Sequence, residues 1–448
     1  MKYFNIIKKI KVIALIGLLL PALSYAQETR SLTLDQSLKI GLENSKQLHA
    51  SLMKAKIAEA QAKEIGASRF ASLNLGASYT RLSSVPPFQI SFPPLIPKPI
   101  TISPTILDNY NLKLSLQQPL FTGFKLQSSY DAAKLNAAAS NMDYTQAEQD
   151  LFLNIKNAYW NLYRVLQMNK VIEDEIHTVK AHLEDVQNFY KQGLATKNDV
   201  LKIQVQLSQA ELQKIDAGNN VKLAMLNLNN LLNLPLDTKI TLADSVSVND
   251  LSIESKNLDD LVSEALKNRP ELKAIDLRID ASSKQITAAK GDWYPQLFVA
   301  GEYDYAKPNQ RLVPTQNEFY GTWNVSVGVS YSLWNWGATI DRTEQAEAGY
   351  EQAKDNSKLL KDAVTLDVNQ SYLNLEKSLQ KVTVSKENVK QAEENYRITD
   401  ERFKQGLTLN SELLDAEVAL TQAKTDYVQS LVDYELSVAK MDRALGIK

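Results

Sequence analysis

The chain has 448 residues, of which 44% are apolar and 23% are charged. Fifty lysines and arginines stand against 52 aspartates and glutamates, and a net charge of −2 argues against a nucleic-acid binder with a basic surface. The absence of cysteine excludes disulfides, thiolate metal sites and cysteine nucleophiles. Only 15 glycines and 14 prolines occur, and this scarcity of helix breakers predicts long uninterrupted elements.

Residues 1–26 have the pattern of a secretory signal peptide. Lys8 and Lys9 precede the apolar run 12–20, and Ser24 and Ala26 are small residues suited to a cleavage site after position 26. The alternative is a short N-terminal anchor, although the apolar run is too short to span a bilayer comfortably. No later stretch has about 18 consecutive apolar residues, so we expect any contact with a membrane to be made by β-strands.

The chain matches itself when it is shifted by 213 positions. Residues 190–214 share nine identities with residues 403–427. Near the N-terminus the shift is 224, which places 11 extra residues of the first copy in the stretch 85–108. Copies of this length are too long for solenoid units and predict a duplicated architecture with pseudo-twofold symmetry. We expect repeat 1 to span residues 27–245 and repeat 2 to span residues 246–448.

Each repeat is predicted to contain a helix followed by a β-hairpin. In repeat 1 the helix covers residues 35–68, with a break at Asn44 or Ser45, and the hairpin covers about 70–120. The second hairpin covers about 294–334, where apolar and polar residues alternate most clearly from Trp323 to Leu333. Alternation over about ten residues is typical of strands whose two faces meet different environments.

Aromatic residues gather at the ends of these predicted strands, as an interfacial girdle of a membrane barrel requires. The alternative is a soluble, half-buried sheet, to which the same alternation belongs. The signal peptide, the isolation of each hairpin between helices and the seven prolines within residues 86–104 favour the membrane. The predicted girdle residues are Phe121, Tyr294, Tyr320, Trp334 and Trp336.

Very long helices follow each hairpin, at about 122–233 in repeat 1 and about 336–446 in repeat 2. Seventy helical residues would extend about 105 Å, which is typical of a coiled-coil-like assembly rather than a globular domain. Apolar residues recur at spacings of three and four along both copies. His177 and His182 lie five positions apart on a charged helix, and we expect them to be solvated.

Two hairpins supply four strands per chain, which are too few to close a barrel. An open strand edge in lipid would leave backbone groups unpaired at several kcal/mol each, and small barrels need at least eight strands. The chain is therefore expected to oligomerise through its strand edges, with two copies giving eight strands or three copies giving twelve. The long helices would continue such a barrel as a hollow conduit that reaches into the periplasm.

Four features together resemble the TolC family of outer-membrane efflux proteins. They are the signal peptide, the duplication, the β-hairpin in each copy, and a Gln-Gly-Leu motif at 192–194 and 405–407, where each long helical segment is expected to reverse direction. This resemblance implies a mainly α-helical protein with a membrane β-barrel. It implies a homotrimer in which four strands per protomer form a shared 12-stranded barrel above an α-helical tunnel. It also implies an outer-membrane exit duct that works with a periplasmic adaptor and an inner-membrane transporter to export small molecules or proteins.

The resemblance also implies roles for individual residues. The helix tips would contact the adaptor, and acidic residues near them would ring the closed periplasmic entrance. Phe403 and Thr408 stand where the family has tyrosine and arginine, and neither can make the polar contacts of those residues. The implied adaptor-contact residues are Gly193, Leu194, Gly406 and Leu407. The implied gate residues are Glu412, Asp415 and, nearby, Asp199.

Two other classes of protein fit the sequence less well than an efflux channel. A secreted or surface coiled-coil protein, such as an adhesin stalk, would explain the helices but not two matched amphipathic hairpins. An enzyme is disfavoured because the sequence has no phosphate-binding loop, GxSxG motif or HExxH motif. We therefore predict no catalytic residues, no metal site and no cofactor.

Overall fold

The computed structural model describes residues 30–246 and 257–447, so the predicted signal peptide lies outside the described residues. Long helices dominate this part of the chain. The helices are α1 Leu34–Asn44, α2 Lys46–Ala67, α3 Lys125–Lys191, α4 Lys197–Leu231, α5 Leu258–Asn268, α6 Pro270–Lys290, α7 Ala338–Lys404 and α8 Asn410–Leu445. The strands are β1 Arg30–Leu32, β2 Ser72–Arg81, β3 Phe88–Phe92, β4 Ile96–Ser103, β5 Asp108–Phe121, β6 Ile240–Leu242, β7 Gln296–Lys307 and β8 Tyr320–Ser330.

The predicted break in the first helix falls at Ser45, between α1 and α2. The Ser45 hydroxyl accepts a hydrogen bond from the backbone N–H of Leu48 and thereby caps α2. The two longest helices, α3 and α7, have 67 residues each, which corresponds to about 100 Å. Within residues 30–246 and 257–447, no helix is both long enough and apolar enough to cross a bilayer.

Both long helices begin after two consecutive residues with positive φ. Gly123 and Phe124 precede α3 with φ of +63° and +67°, and Trp336 and Gly337 precede α7 with φ of +56° and +85°. This left-handed turn redirects the chain from a strand into a helix. At Gly123 a Cβ atom would lie 2.2 Å from the carbonyl oxygen of Gly291, so only glycine fits there.

The sheet joins the two repeats. Its strand order is β2-β5-β7-β8 and all neighbours are antiparallel, so that β5 of repeat 1 pairs directly with β7 of repeat 2. Strand β8 ends at Ser330, before the predicted Leu333. Ser330 pairs with Gln296, the residue at which β7 begins, so the antiparallel pairing stops there. The insertion in repeat 1 forms a separate two-stranded ribbon, β3-β4, which the alternation analysis did not predict.

The helices pack into layers, with α3 against α4, α6 and α8, and α7 against α8. Each repeat has its own apolar core close to the middle of the molecule, one around Ile155 and Leu228 and the other around Val368 and Leu431. A third core around Val186 and Leu413 joins the tips of the two helix hairpins. The short parallel pair β1-β6 adds Leu32 and Ile240 to the first core.

Candidate functional site: the sheet faces and the helix tips

The four-stranded sheet has one apolar face, which the strand register defines. Leu75 of β2 lies opposite Leu114 of β5, which lies opposite Tyr303 of β7, which in turn lies opposite Trp323 of β8. Directly opposed residues of an antiparallel sheet point to the same face. These side chains are exposed, with 70% of Leu75 and 70% of Trp323 accessible.

The opposite face of the sheet is polar. The next row contains Asn74, Ser115, Glu302 and Asn324 in register across the four strands. Lys113 of β5 forms an ion pair with Glu302 of β7, so charges of both signs line this face. A sheet with one apolar and one charged face is suited to separating lipid from an aqueous lumen.

Aromatic residues cluster at both ends of the sheet. At the end nearest the helices, Phe121 contacts Phe124 with ring centroids 5.4 Å apart, and Trp334 contacts Trp336 at 5.8 Å. Tyr294 packs edge-on to the two phenylalanines. Four of the five predicted girdle residues therefore lie at this end, and the fifth, Tyr320, begins β8 at the far end.

The far end of the sheet has further aromatic residues that the sequence analysis did not select. The rings of Tyr79 and Tyr110 lie 5.0 Å apart, and Phe319 contacts both Tyr110 and Tyr305. Each of these residues lies in or next to the end of a predicted strand, and that position is the signal that could have identified them. The two aromatic clusters mark the two ends of the apolar sheet face.

The two helix tips share one turn geometry. Gly193 and Gly406 have φ of +76° and +71°, a conformation that favours glycine after a helix end. The backbone N–H of Leu194 donates to the carbonyl of Phe189, and that of Leu407 donates to the carbonyl of Arg402, both at 2.8 Å. These bonds leave the two leucine side chains 73% and 63% exposed. The tips thus present apolar side chains to a partner or to solvent.

The predicted gate acids differ in how they are bound. Asp199 forms a capping box with Thr196 at the start of α4. The Thr196 hydroxyl and backbone N–H, with a smaller contribution from the charge of Lys202, hold the pKa of Asp199 below its ordinary value. Glu412 and Asp415 lie exposed on the first turns of α8, where the Thr408 hydroxyl contacts the Glu412 carboxylate.

Phe403 is buried rather than free at the tip. It is 6% exposed, and its ring lies 5.6 Å from that of Phe189 and 5.1 Å from the imidazole of His182. At the position where the family has tyrosine, the Phe403 side chain therefore makes an apolar contact between α7 and α3. Thr408 retains a polar contact, but with Glu412 of its own helix hairpin.

The expectation that His182 is solvated is wrong. His182 is 4% exposed, and its Nδ1 lies 3.0 Å from Oε1 of Glu417 on α8, which is also 4% exposed. Glu175 is buried on the same side of α3 and accepts a hydrogen bond from Gln206. Burial and the nearby carboxylate of Glu417 raise the pKa of Glu175.

The sequence does contain a signal for this buried polar cluster. Glu175, Val179, His182 and Val186 recur at spacings of four, three and four, which places all of them on one helical stripe. The two valines are fully buried at 0% exposure. The stripe therefore identifies His182 and Glu175 as residues of the helix interface, despite the charged residues between them.

Comparisons with known proteins agree with this geometry. A family model described as outer membrane efflux protein matches residues 38–234 and 261–447. Alkaline protease secretion protein AprF of Pseudomonas aeruginosa is 25% identical over 346 residues, which cover 76% of this chain and 70% of that protein. Outer membrane protein TolC of Vibrio cholerae is 24% identical over 325 residues, which cover 71% of this chain and 72% of that protein.

Solved channel structures share the fold. VceC of Vibrio cholerae superposes with a TM-score of 0.77 at 19% identity and covers 92% of this chain and 96% of its own. CusC superposes with a TM-score of 0.80 at 14% identity and covers 93% and 92%. A coiled-coil stalk or an enzyme is not supported by these matches. Because the family model matches both halves and most of the chain, the protein belongs to the outer membrane efflux protein family.

Proposed function

We propose that the protein is the outer-membrane channel of a tripartite efflux or type I secretion system. In this role it exports small molecules or proteins passively, while an inner-membrane transporter supplies the energy and a periplasmic adaptor joins the two. The observation that carries the proposal is a four-stranded sheet with one apolar and one charged face, attached to helices of about 100 Å.

The free edges of the sheet support a shared barrel. Strands β2 and β8 are its outer strands, and each has a neighbour on one side only. Leu73 on β2 and Val327 on β8 are 64% and 69% exposed. Pairing β2 of one protomer with β8 of the next would satisfy both edges, and three protomers would close a 12-stranded barrel in the outer-membrane lipid.

The internal duplication predicts how the helices meet between protomers. The 213-residue shift maps His182 onto Asn395 of α7 and Glu417 onto Gln204 of α4. Inside one protomer the His182–Glu417 pair joins α3 to α8, whereas Asn395 and Gln204 are exposed. We therefore expect α7 of one protomer to pack against α4 of the next in the same manner.

Exposed apolar residues along these two helices support that packing. They recur mainly at intervals of about one or two helical turns, and the described part of the protomer leaves them exposed. On α4 they include Leu201 at 47%, Val205 at 58% and Leu212 at 64% exposure. On α7 they include Leu366 at 58%, Leu373 at 60% and Val384 at 70% exposure.

The helix tips would form the periplasmic entrance of this trimer. Three copies of Glu412 and Asp415 would converge there, with Asp199 beside them. Converging carboxylates concentrate negative charge at the entrance, and such a ring attracts cations. The exposed Leu194 and Leu407 next to the tip glycines are the surface that we assign to the adaptor.

A cross-linking experiment tests the trimer directly, because the chain has no cysteine. In the double variant Gln204→Cys/Asn395→Cys, a short bis-maleimide applied to outer membranes should join α4 of one protomer to α7 of the next. We expect a ladder that ends at a covalent trimer, and monomers only for each single variant. A ladder that ends at the dimer, or a monomer that is stable in buffer without detergent, would refute the proposal.

A further inference from the structure

The inserted ribbon β3-β4 has two unlike faces. Along β3, Phe88, Ile90 and Phe92 alternate with Gln89 and Ser91. Ile90 lies opposite Ile100 of β4 and Phe92 lies opposite Ile96, so these apolar residues share one face, whereas a register shift places Phe88 opposite Ser103. On the other face, the Gln89 side-chain amide donates a hydrogen bond to the Thr101 hydroxyl at 3.2 Å. The ribbon is therefore amphipathic.

Within residues 30–246 and 257–447, no segment covers the apolar face of the ribbon. Phe88 is 61% exposed, Phe92 is 65% exposed and Ile100 is 52% exposed. Lys98 is the only charged residue between positions 85 and 107. An isolated two-stranded hairpin is at best marginally stable in water, and contiguous exposed apolar surface marks an interaction site. The face needs an uncharged, apolar partner.

The hydrocarbon of the membrane is not in a position to be that partner. Arg81 and Asp108 form an ion pair of 2.8 Å where β2 ends and β5 begins, next to the Tyr79–Tyr110 aromatic pair. These charges and rings mark the outer boundary of the apolar band. The ribbon begins only at Phe88, and the connecting segments run side by side through a bond of 2.8 Å from Leu82 to Leu107.

Sister ribbons are within reach of one another. Twelve strands spaced about 4.8 Å apart and tilted by about 40° enclose a barrel with a radius of about 12 Å. Strand β4 has eight residues and extends about 26 Å. The ribbon also follows β2, the edge strand at which we place the contact between protomers. A ribbon that leans over the mouth therefore reaches the threefold axis.

We propose that the three ribbons of the trimer cover one another's apolar faces above the outer mouth of the barrel. The inference rests on the trimer proposed above. Three identical, nearly uncharged faces are complementary to each other, and their association removes the exposed phenylalanines and isoleucines from water. The association also forms an extracellular cap over the lumen.

Two cysteine substitutions on opposite faces of one ribbon test this contact. Ile90→Cys lies on the apolar face and Gln89→Cys lies on the polar face of an otherwise cysteine-free chain. Under mild oxidation of intact cells, we expect disulfide-linked dimers for Ile90→Cys at a yield at least fivefold above that for Gln89→Cys. Only dimers form, because a threefold contact can join two of its three thiols.

Ile100→Cys and Thr101→Cys repeat the comparison on β4 and guard against a local effect of one substitution. Equal dimer yields from the two faces, or no dimers from either, would refute the cap. The Gln204→Cys/Asn395→Cys variant, cross-linked in membranes prepared in the same way, serves as the reference for trimer formation. A normal trimer ladder without an Ile90→Cys dimer refutes the cap alone, whereas a missing ladder refutes the trimer itself.

Discussion

The duplication produces two equivalent pairs of positions that are used in opposite ways. His182 of repeat 1 is buried and lies 3.0 Å from Glu417 of repeat 2. The duplicated positions, Asn395 and Gln204, are uncharged and exposed. A contact inside one chain is buried for as long as the chain is folded and can hold ionisable side chains out of water. A face that awaits a sister copy must remain soluble before assembly, and amides meet that requirement without carrying an ionisable group into the interface.

The helix tips differ in the same manner. Thr196 caps α4 and binds Asp199, whereas the equivalent Leu409 begins α8 without a side-chain cap. The carboxylate of Asp199 therefore stabilises its own helix. Glu412 at the equivalent position is exposed, as is Asp415 one turn later. Duplication preserved the turn in both repeats, while the function that we assign to the acids is concentrated in the second.

The largest expected effect comes from breaking the buried His182–Glu417 pair, which joins the two repeats. Glu417→Ala leaves the buried polar group of His182 without its partner, and we expect a loss of about 1–3 kcal/mol in the free energy of unfolding. Gln204→Ala, at the equivalent exposed position, should change it by less than about 0.5 kcal/mol in the unassembled protein. Denaturant unfolding followed by circular dichroism measures both values.

A double substitution sharpens this result. In His182→Leu/Glu417→Leu both polar partners are replaced by apolar groups, and we expect most of the lost stability to return. If Glu417→Ala were no more harmful than Gln204→Ala, the buried and the exposed pair would not differ energetically and the comparison would fail.

The gate substitutions come next and compare the two tips. Glu412→Gln with Asp415→Asn should raise the conductance in planar bilayers by roughly twofold or more and reduce the preference for cations, because the repulsive anionic ring is removed. Asp199→Asn should change both quantities less, since Thr196 already binds that carboxylate. Unchanged conductance and selectivity in the double variant would remove the gate assignment and leave the fold intact.

Glu175→Gln tests the cost of burying the Glu175 carboxyl group of repeat 1. Because the folded-state pKa of Glu175 is raised, its contribution to stability is fully present at pH values below its unfolded pKa. That contribution is lost as the pH rises through the folded pKa. The variant should therefore equal the wild type in acid and be the more stable of the two at pH 7.

The matched control for this test is Asn388→Asp, which places a carboxylate at the equivalent exposed position of repeat 2. A solvated carboxylate titrates alike in both states, so thermal denaturation at pH 4 and pH 7 should show no added pH dependence. A wild-type protein that is as stable as Glu175→Gln at neutral pH would contradict the assignment.

The smallest effects concern the helix caps. Thr196→Ala removes the capping box of α4 and should lower the free energy of unfolding by about 1 kcal/mol. Leu409→Thr would place a threonine three residues before Glu412, which is the sequence of a capping box, and should stabilise α8 by up to about 1 kcal/mol. Melting temperatures of the two variants should move in opposite directions, and a common direction would refute the proposed difference between the tips.

The sequence by itself determined the elements that depend on neighbours along the chain. Alternation from Trp323 onward identified β8, a capping serine at position 45 separated α1 from α2, and the scarcity of breakers identified the 67-residue helices. The Gln-Gly-Leu motif located both tips because the turn requires a residue with positive φ. These features are local, and period, propensity and turn chemistry suffice to specify them.

Only the tertiary structure decided which faces meet. The pairing of β5 with β7, the burial of His182 against Glu417 and the folding of the insertion into β3-β4 all join positions that sequence patterns do not link. The spacing of Val179, His182 and Val186 marks one face of a helix, but the sequence does not say which other helix covers that face. Burial is set by packing across hundreds of residues, and it therefore emerges with the fold.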